Sequence, residues 1–314
     1  MRLGDARQWL RPLDVLTRDA VAGIVASFVT LAHCLSFSAL IFSGPLAPGL
    51  PMALWGFMVA TAVVTILSGP LTTLPPVLAG PRNPAVAVMA VLAATVSAAA
   101  LERGMSGGEA ARHVLVALTM ASALTGALIW VLGTFRLGQA VRFVPYPVIG
   151  GFLAASGFLL VVGGLQVGTG MRVGRMELGD AMASAASWQL LVTLVFAGLL
   201  MALRRMPGGA SALPVVIVVG ALAIDGALWL AGNGGASGWH LGASGGAHGW
   251  SPLASLVGLD WELLAGAGVE ILSIAGVSTA ALLLDVSSLE VQRRAQADMD
   301  TEFRINGAAN LAVA

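Results

Sequence analysis

An all-α polytopic membrane protein is the fold class predicted by three observations. The first is composition. Of 314 residues, 57% are hydrophobic and 10% charged, with a mean hydropathy of +0.88, against about 25% charged in a typical soluble domain. The second is the recurrence of apolar runs near the length that crosses a bilayer, about 20 residues. The third is that these runs are apolar on all sides rather than alternating every second residue. They therefore suit helices, which pair their own backbone groups in lipid, and not barrel strands.

The charge balance removes other classes. Sixteen acids and sixteen bases cancel, every base is an arginine, and no basic surplus supports a nucleic-acid partner. Disorder needs low hydrophobicity and high charge, the opposite of this chain. One cysteine, Cys34, excludes an intramolecular disulfide framework and leaves a zinc site without its usual thiolates.

Taken in order, residues 1–19 form a short charged segment with Arg2, Arg7, Arg11 and Arg18, expected in the cytoplasm. No small-residue cleavage site leads from the following apolar run into a soluble chain, so it is not a signal peptide. Predicted spans then cover residues 20–43, 51–67, 84–101, 114–132, 144–165, 188–203, 213–230 and 263–284. A ninth begins near Asn306 and is cut by the last residue, Ala314.

Residues 232–250 are glycine-rich and aperiodic, reading as an outer loop. His240 and His248 within it fit solvated side chains better than metal ligands. Orientation follows from arginine placement. With the N-terminus inside, twelve arginines fall in inner segments, and only Arg103, Arg112, Arg172 and Arg175 fall outside.

Candidate site residues lie where the apolar pattern breaks. Leu74 to Gly80 is apolar but proline-broken, and Pro81-Arg82-Asn83-Pro84 leads into the third helix. Pro84 suits a first helical turn, where its missing N–H costs nothing, and Asn83 suits an N-cap. From there to about Ala100 a helix spans about 24 Å, short for a crossing. A short half-helix with its N-terminus facing an internal cavity is one reading; a loop followed by a short tilted helix is the other. Helix N-termini attract anions through unpaired N–H groups and a partial positive charge.

His33 is an ionisable group in the middle of the first span, fit either to touch a substrate or to bond a neighbouring helix. Cys34 beside it reads as a small buried hydrophobe. Among the acids, Glu270 reads as interfacial. Asp285 reads as either a cavity carboxylate or a solvated helix end, and Asp225 in the seventh span has no local partner.

These residues together resemble the SulP family of anion transporters. The family's first-span Pro-Gln-x-x-x-Tyr motif corresponds here to Ala32, His33 and Phe37, with proline and glutamine replaced. Gly80-Pro81 with Asn83-Pro84-Ala85 is similar to the family segment before the third half-helix. Gly133 to Gly138, Phe143 to Phe152 and Gly164 to Val167 are similar to its signatures around the fifth helix. Leu289-Glu290, Asp300-Thr301-Glu302-Phe303 and Gly307 to Leu311 resemble the linker and the start of the ninth helix.

The resemblance implies fourteen spans in two inverted seven-span repeats, and a cytoplasmic STAS domain. The chain would then hold the first repeat and the start of the second. Helices 1–4 (20–135) would form a transport core, helices 5–7 (136–232) a gate or scaffold, 233–262 the outer loop, and 263–314 helix 8 and the start of helix 9. The tenth half-helix, which would complete the site, falls outside the 314 residues. The expectation is a fragment, a truncated product, or a partner that completes the site.

The family's eighth-span carboxylate aligns near Ala281, with Asp285 one turn further on. Implied substrate contacts are His33, Phe37, Asn83, Pro84, Ala85 and Val86, with Asp285 a coupling candidate for H+ or Na+. The substrate would be a sulfate- or bicarbonate-class anion. No cofactor is expected, a homodimer is possible, and the location would be the bacterial inner membrane. Rival expectations are a carrier of uracil, xanthine or benzoate type, and a non-transporting component. An intramembrane enzyme is disfavoured by the absence of an HExxH motif and of a Ser/His/Asp set.

Overall fold

The structure is a computed structural model. It describes residues 13–73, 80, 82–138, 186–205, 209–230 and 258–314, with isolated positions between 147 and 164. The predicted fifth span, the Phe143 to Phe152 and Gly164 to Val167 motifs, and the glycine-rich loop with both its histidines lie outside the described residues, apart from those isolated positions.

All regular structure among the described residues is helical. In chain order the helices are α1 (Leu13–Ile41), a 3-10 helix (Gly44–Gly49), α2 (Leu50–Ser68), α3 (Asn83–Glu102), α4 (Gly107–Thr134), α5 (Ala186–Arg204), α6 (Gly209–Leu230), α7 (Trp261–Gly266), α8 (Gly268–Arg293) and α9 (Met299–Val313). Among the described residues, five segments are long and apolar enough to cross a membrane: Asp19–Ile41, Gly44–Ser68, Asn83–Glu102, Gly107–Thr134 and Gly268–Glu290.

Three differences from the predicted spans have local causes. The third helix is 20 residues long, about 30 Å at 1.5 Å per residue, so its length alone does not mark it as a half-helix. The single predicted eighth span is two helices, because Ala267 leaves helical geometry between α7 and α8. The ninth helix starts at Met299, seven residues before Asn306. Asp298 caps it, its carboxylate accepting from the Thr301 N–H at 3.2 Å and the Thr301 hydroxyl at 2.7 Å.

The chain divides into two compact units, the boundary in α1 falling between His33 and Cys34. One unit holds residues 1–33 and 192–237. Within it, Gly220 on α6 lies against the Phe196 ring of α5, too close for a Cβ.

The other unit holds residues 34–191 and 238–314. Its apolar core joins Phe37 and Ile41 of α1, Phe42 just after it, Val86, Leu92 and Val96 of α3, Val114 and Ala117 of α4, and Leu264, Ile271 and Ile274 of α7 and α8. A second cluster joins Ile129 of α4, Leu282 and Val286 of α8, and Phe303 of α9.

Small residues set the closest approaches. A Cβ on Gly307 of α9 would lie 2.5 Å from the Trp130 backbone nitrogen on α4. One on Gly133 would lie 2.7 Å from Arg304 N and from Asp300 O. The two backbones touch, a packing mode that compensates for the weak hydrophobic drive between helices in lipid. At the other end of α4, Ser106 and Glu109 form a reciprocal capping box. There Gly107 lies under the Pro45 carbonyl of the 3-10 helix, too close for a side chain.

Candidate anion site at the start of the third helix

The start of α3 is built from a proline and three small or branched apolar residues. Pro84 occupies the first turn, as its chemistry predicts. The capping position is Arg82, in extended geometry, and Asn83 is the first helical residue. The expectation of an Asn83 cap is therefore corrected: no side chain caps this helix. The first intrahelical bond runs from Val86 N to Arg82 O at 3.0 Å. The Asn83 and Ala85 N–H groups precede it and have no acceptor within the helix.

Ala85, Val86 and Ala87 are buried and Asn83 is exposed. Phe37 of α1 is buried in the same apolar cluster as Val86, so these two predicted contacts share one core. His33 is exposed and falls in the other unit.

Asp285 is not isolated. Arg82 donates from Nε to its Oδ2 at 2.9 Å, with the carboxylate side chain 63% exposed and the arginine 23%. Such a pair is worth at most about 1 kcal/mol at that exposure, so its interest is positional. The same guanidinium donates from Nη2 to Asn306 Oδ1 on α9 at 3.3 Å. Arg82 thus joins the start of α3 to α8 and α9. Any cation bound at Asp285 shares the carboxylate with this guanidinium.

One turn before Asn306 on α9, Glu302 is 5% exposed. Its Oε1 accepts from the Thr72 hydroxyl at 2.9 Å, the Thr73 hydroxyl at 2.8 Å and the Thr73 N–H at 2.5 Å. The Asn306 amide is oriented by donating from Nδ2 to Glu302 O at 2.9 Å, which leaves Oδ1 to Arg82. Further down α9, Asp300 accepts from Gly138 N at 3.0 Å. That contact and the tight seat of Gly133 give the glycines of the Gly133 to Gly138 stretch a physical reason.

The opposite ends of α3 and α4 carry a second polar cluster. Arg103, just past α3, pairs with Asp260, which also caps α7 through the Glu262 and Leu263 N–H groups. The arginine beside it, reinforced by the Leu263 N–H, holds the Asp260 carboxyl below its usual range. His113 of α4 is 1% exposed. Its Nε2 accepts from Asp260 N at 3.0 Å, which leaves Nδ1 as the donor to Glu109 O at 2.8 Å. Cys34 is buried, 3.8 Å from the Thr61 hydroxyl, in keeping with a small buried hydrophobe.

Sequence reasoning overlooked Arg82 as a partner of Asp285, and Glu302, Asn306, Thr72, Thr73 and His113 as structural nodes. A signal existed for two of them. Glu302 and Asn306 are four apart, hence on one helix face.

Comparison with known proteins agrees with this architecture. The profile described as the Sulfate permease family matches residues 16–314. The bicarbonate transporter BicA of Picosynechococcus sp. is 28% identical over 146 residues, 46% of this chain and 22% of that protein's length. The solved transmembrane domain of a cyanobacterial BicA superposes with a TM-score of 0.65 at 19% identity, covering 95% of this chain and 71% of that one. At that identity the superposition speaks for the fold.

Proposed function

The chain belongs to the sulfate permease family, multi-pass membrane transporters rather than enzymes, and from that premise we propose that it carries small inorganic anions of the sulfate or bicarbonate class by alternating access. The observation that carries this reading is the uncapped start of α3, buried at Ala85 and Val86 with a guanidinium at its capping position. The N–H groups of Asn83 and Ala85, together with the helix dipole, form an electropositive end suited to an anion. Phe37, buried in the same apolar cluster as Val86, and Pro84 supply apolar surface beside this end. The relative BicA is named as a bicarbonate transporter, which places bicarbonate beside sulfate among the substrates to test first.

In this reading α3 acts as a half-helix opposed by a counterpart from the second inverted repeat. The core of helices 1–4, with the segment 263–314, rocks against the 136–232 scaffold. Coupling by H+ or Na+ at Asp285 requires the cation to compete with Arg82, so an anion exchange or uniport cycle needs fewer steps here. Arginine placement supports a cytoplasmic N-terminus, and the family resemblance is what suggests a bacterial inner membrane and a homodimer.

The test is uptake of labelled sulfate and bicarbonate into proteoliposomes by the natural full-length protein, with uracil, xanthine and benzoate as competitors. Ala85→Glu places a negative group at the helix start and lowers anion uptake roughly tenfold or more. Uptake unchanged in the Ala85→Glu, His33→Ala double variant sinks the assignment. Competition by the organic compounds transfers it to the organic-substrate branch of the fold.

A further inference from the structure

We infer that α9 is the clamp that positions the start of α3, with Glu302 and Asn306 as its two positioning residues. The inference deepens the anion-site reading and rests on it for its transport arm only.

The chain between α2 and α3 has two described ends, and α9 holds both. Glu302 holds the first through Thr72 and Thr73, with three donors on a single buried oxygen. Asn306 holds the second through Arg82, the residue at the capping position of α3. The two side chains lie one turn apart on α9, and the second is oriented by a bond to the carbonyl of the first. α3 has no side-chain cap of its own, so its first turn relies on what holds the chain just before it, while the rest of the helix is held by the core.

The clamp is itself fixed. Gly307 and Gly133 let α9 and α4 meet backbone to backbone, and Asp300 ties the start of α9 to Gly138. A sliding α9 would therefore have to break contacts that admit no extra methyl group. A role for Glu302 as a cation ligand fits less well, because three hydrogens already point at its Oε1.

The experiment uses the full-length natural protein. In a Cys34→Ser background, Asn83→Cys places a reporter thiol on an exposed position of the first α3 turn. Its labelling rate with a small methanethiosulfonate is measured with Glu302→Gln and, separately, with Thr73→Val. In a parallel arm that keeps Asn83, KM and kcat for labelled bicarbonate and sulfate are measured with the same substitutions. Each substitution is expected to change the labelling rate about threefold to tenfold, the scale of a lost hydrogen bond. Each is also expected to raise KM by a similar factor while kcat stays within about twofold.

Asp298→Ala strips the cap of the same helix without touching either anchor, and should move neither quantity. Unchanged labelling and KM in the two anchor variants overturn the inference, and so does an equal effect of Asp298→Ala. If the unmodified protein moves neither anion, the transport reading fails and the labelling arm decides the clamp. If Glu302→Gln does not fold, Thr73→Val, which keeps the carboxylate, decides.

Discussion

A single oxygen of Glu302 takes three hydrogen bonds inside a protein with few charges of any kind. Removing a buried acceptor of this sort strands its donors, and bonds to charged groups are worth about 1.5–3 kcal/mol each. Glu302→Ala is accordingly expected to lower stability by about 3 kcal/mol, read from reversible unfolding in mixed micelles. Asp260 gives a pH prediction. Its folded-state pKa lies below that of a free carboxylate, chiefly because of Arg103. Its contribution is therefore fully present above about pH 4 and lost as pH falls through the lower folded value. A carboxyl-carbon NMR titration should find the Asp260 midpoint below the ordinary range, and Arg103→Gln should raise it. Little of this was legible in the sequence. Arg82 and Asp285 are 203 positions apart, and nothing local says that one guanidinium will meet both Asp285 and Asn306. His113 sits at the start of an apolar run, and only the fold reveals that a backbone N–H of a distant turn fills its ring nitrogen.

Helices were legible where apolarity alone decides, and their ends were not where capping decides. α2 and α3 begin and end within one residue of the predicted boundaries because their flanks are glycine, proline or arginine, whereas α6 begins at Gly209, four residues before the predicted Leu213. α9 begins earlier because its first turns carry Asp300, Glu302 and Arg304, which a search for apolar residues skips. The capping signature of Asp298 with Thr301 three residues later was present in the sequence and outweighed by hydropathy. Glycines separate in the same way. Gly307→Ala drives a methyl group into the Trp130 backbone of α4 and should cost about 1–3 kcal/mol, the usual price of overpacking. Gly23 in α1 has nothing within 4 Å of an added Cβ, so Gly23→Ala should change stability by less than about 1 kcal/mol. The same unfolding assay compares the two.

Across the whole molecule, the all-helical membrane fold was readable because lipid permits few alternatives. The arrangement of helices was carried by resemblance rather than by composition. Arginine placement adds a topology that can be checked directly. Cysteines at Glu262 and Ala295, both exposed, should react with an impermeant reagent from opposite faces of the membrane, Glu262→Cys from outside and Ala295→Cys only after permeabilisation. Within the larger unit, α3 is held at both ends, to α8 by Arg82 with Asp285 and to the cap of α7 by Arg103 with Asp260.

The bond from Thr72 to Glu302 closes over 230 positions of sequence, and that separation sets a schedule for biosynthesis. At about 5–20 residues per second, roughly 10–50 s pass between synthesis of the threonines and of the carboxylate that receives them. Within that interval α3 and α4 are completed behind α1 and α2, while the start of α3 still lacks its clamp. A nascent chain arrested before residue 299 should therefore label rapidly at Asn83→Cys and slow only once α9 has emerged, making the last helix of this sequence a timer for completion of the first four.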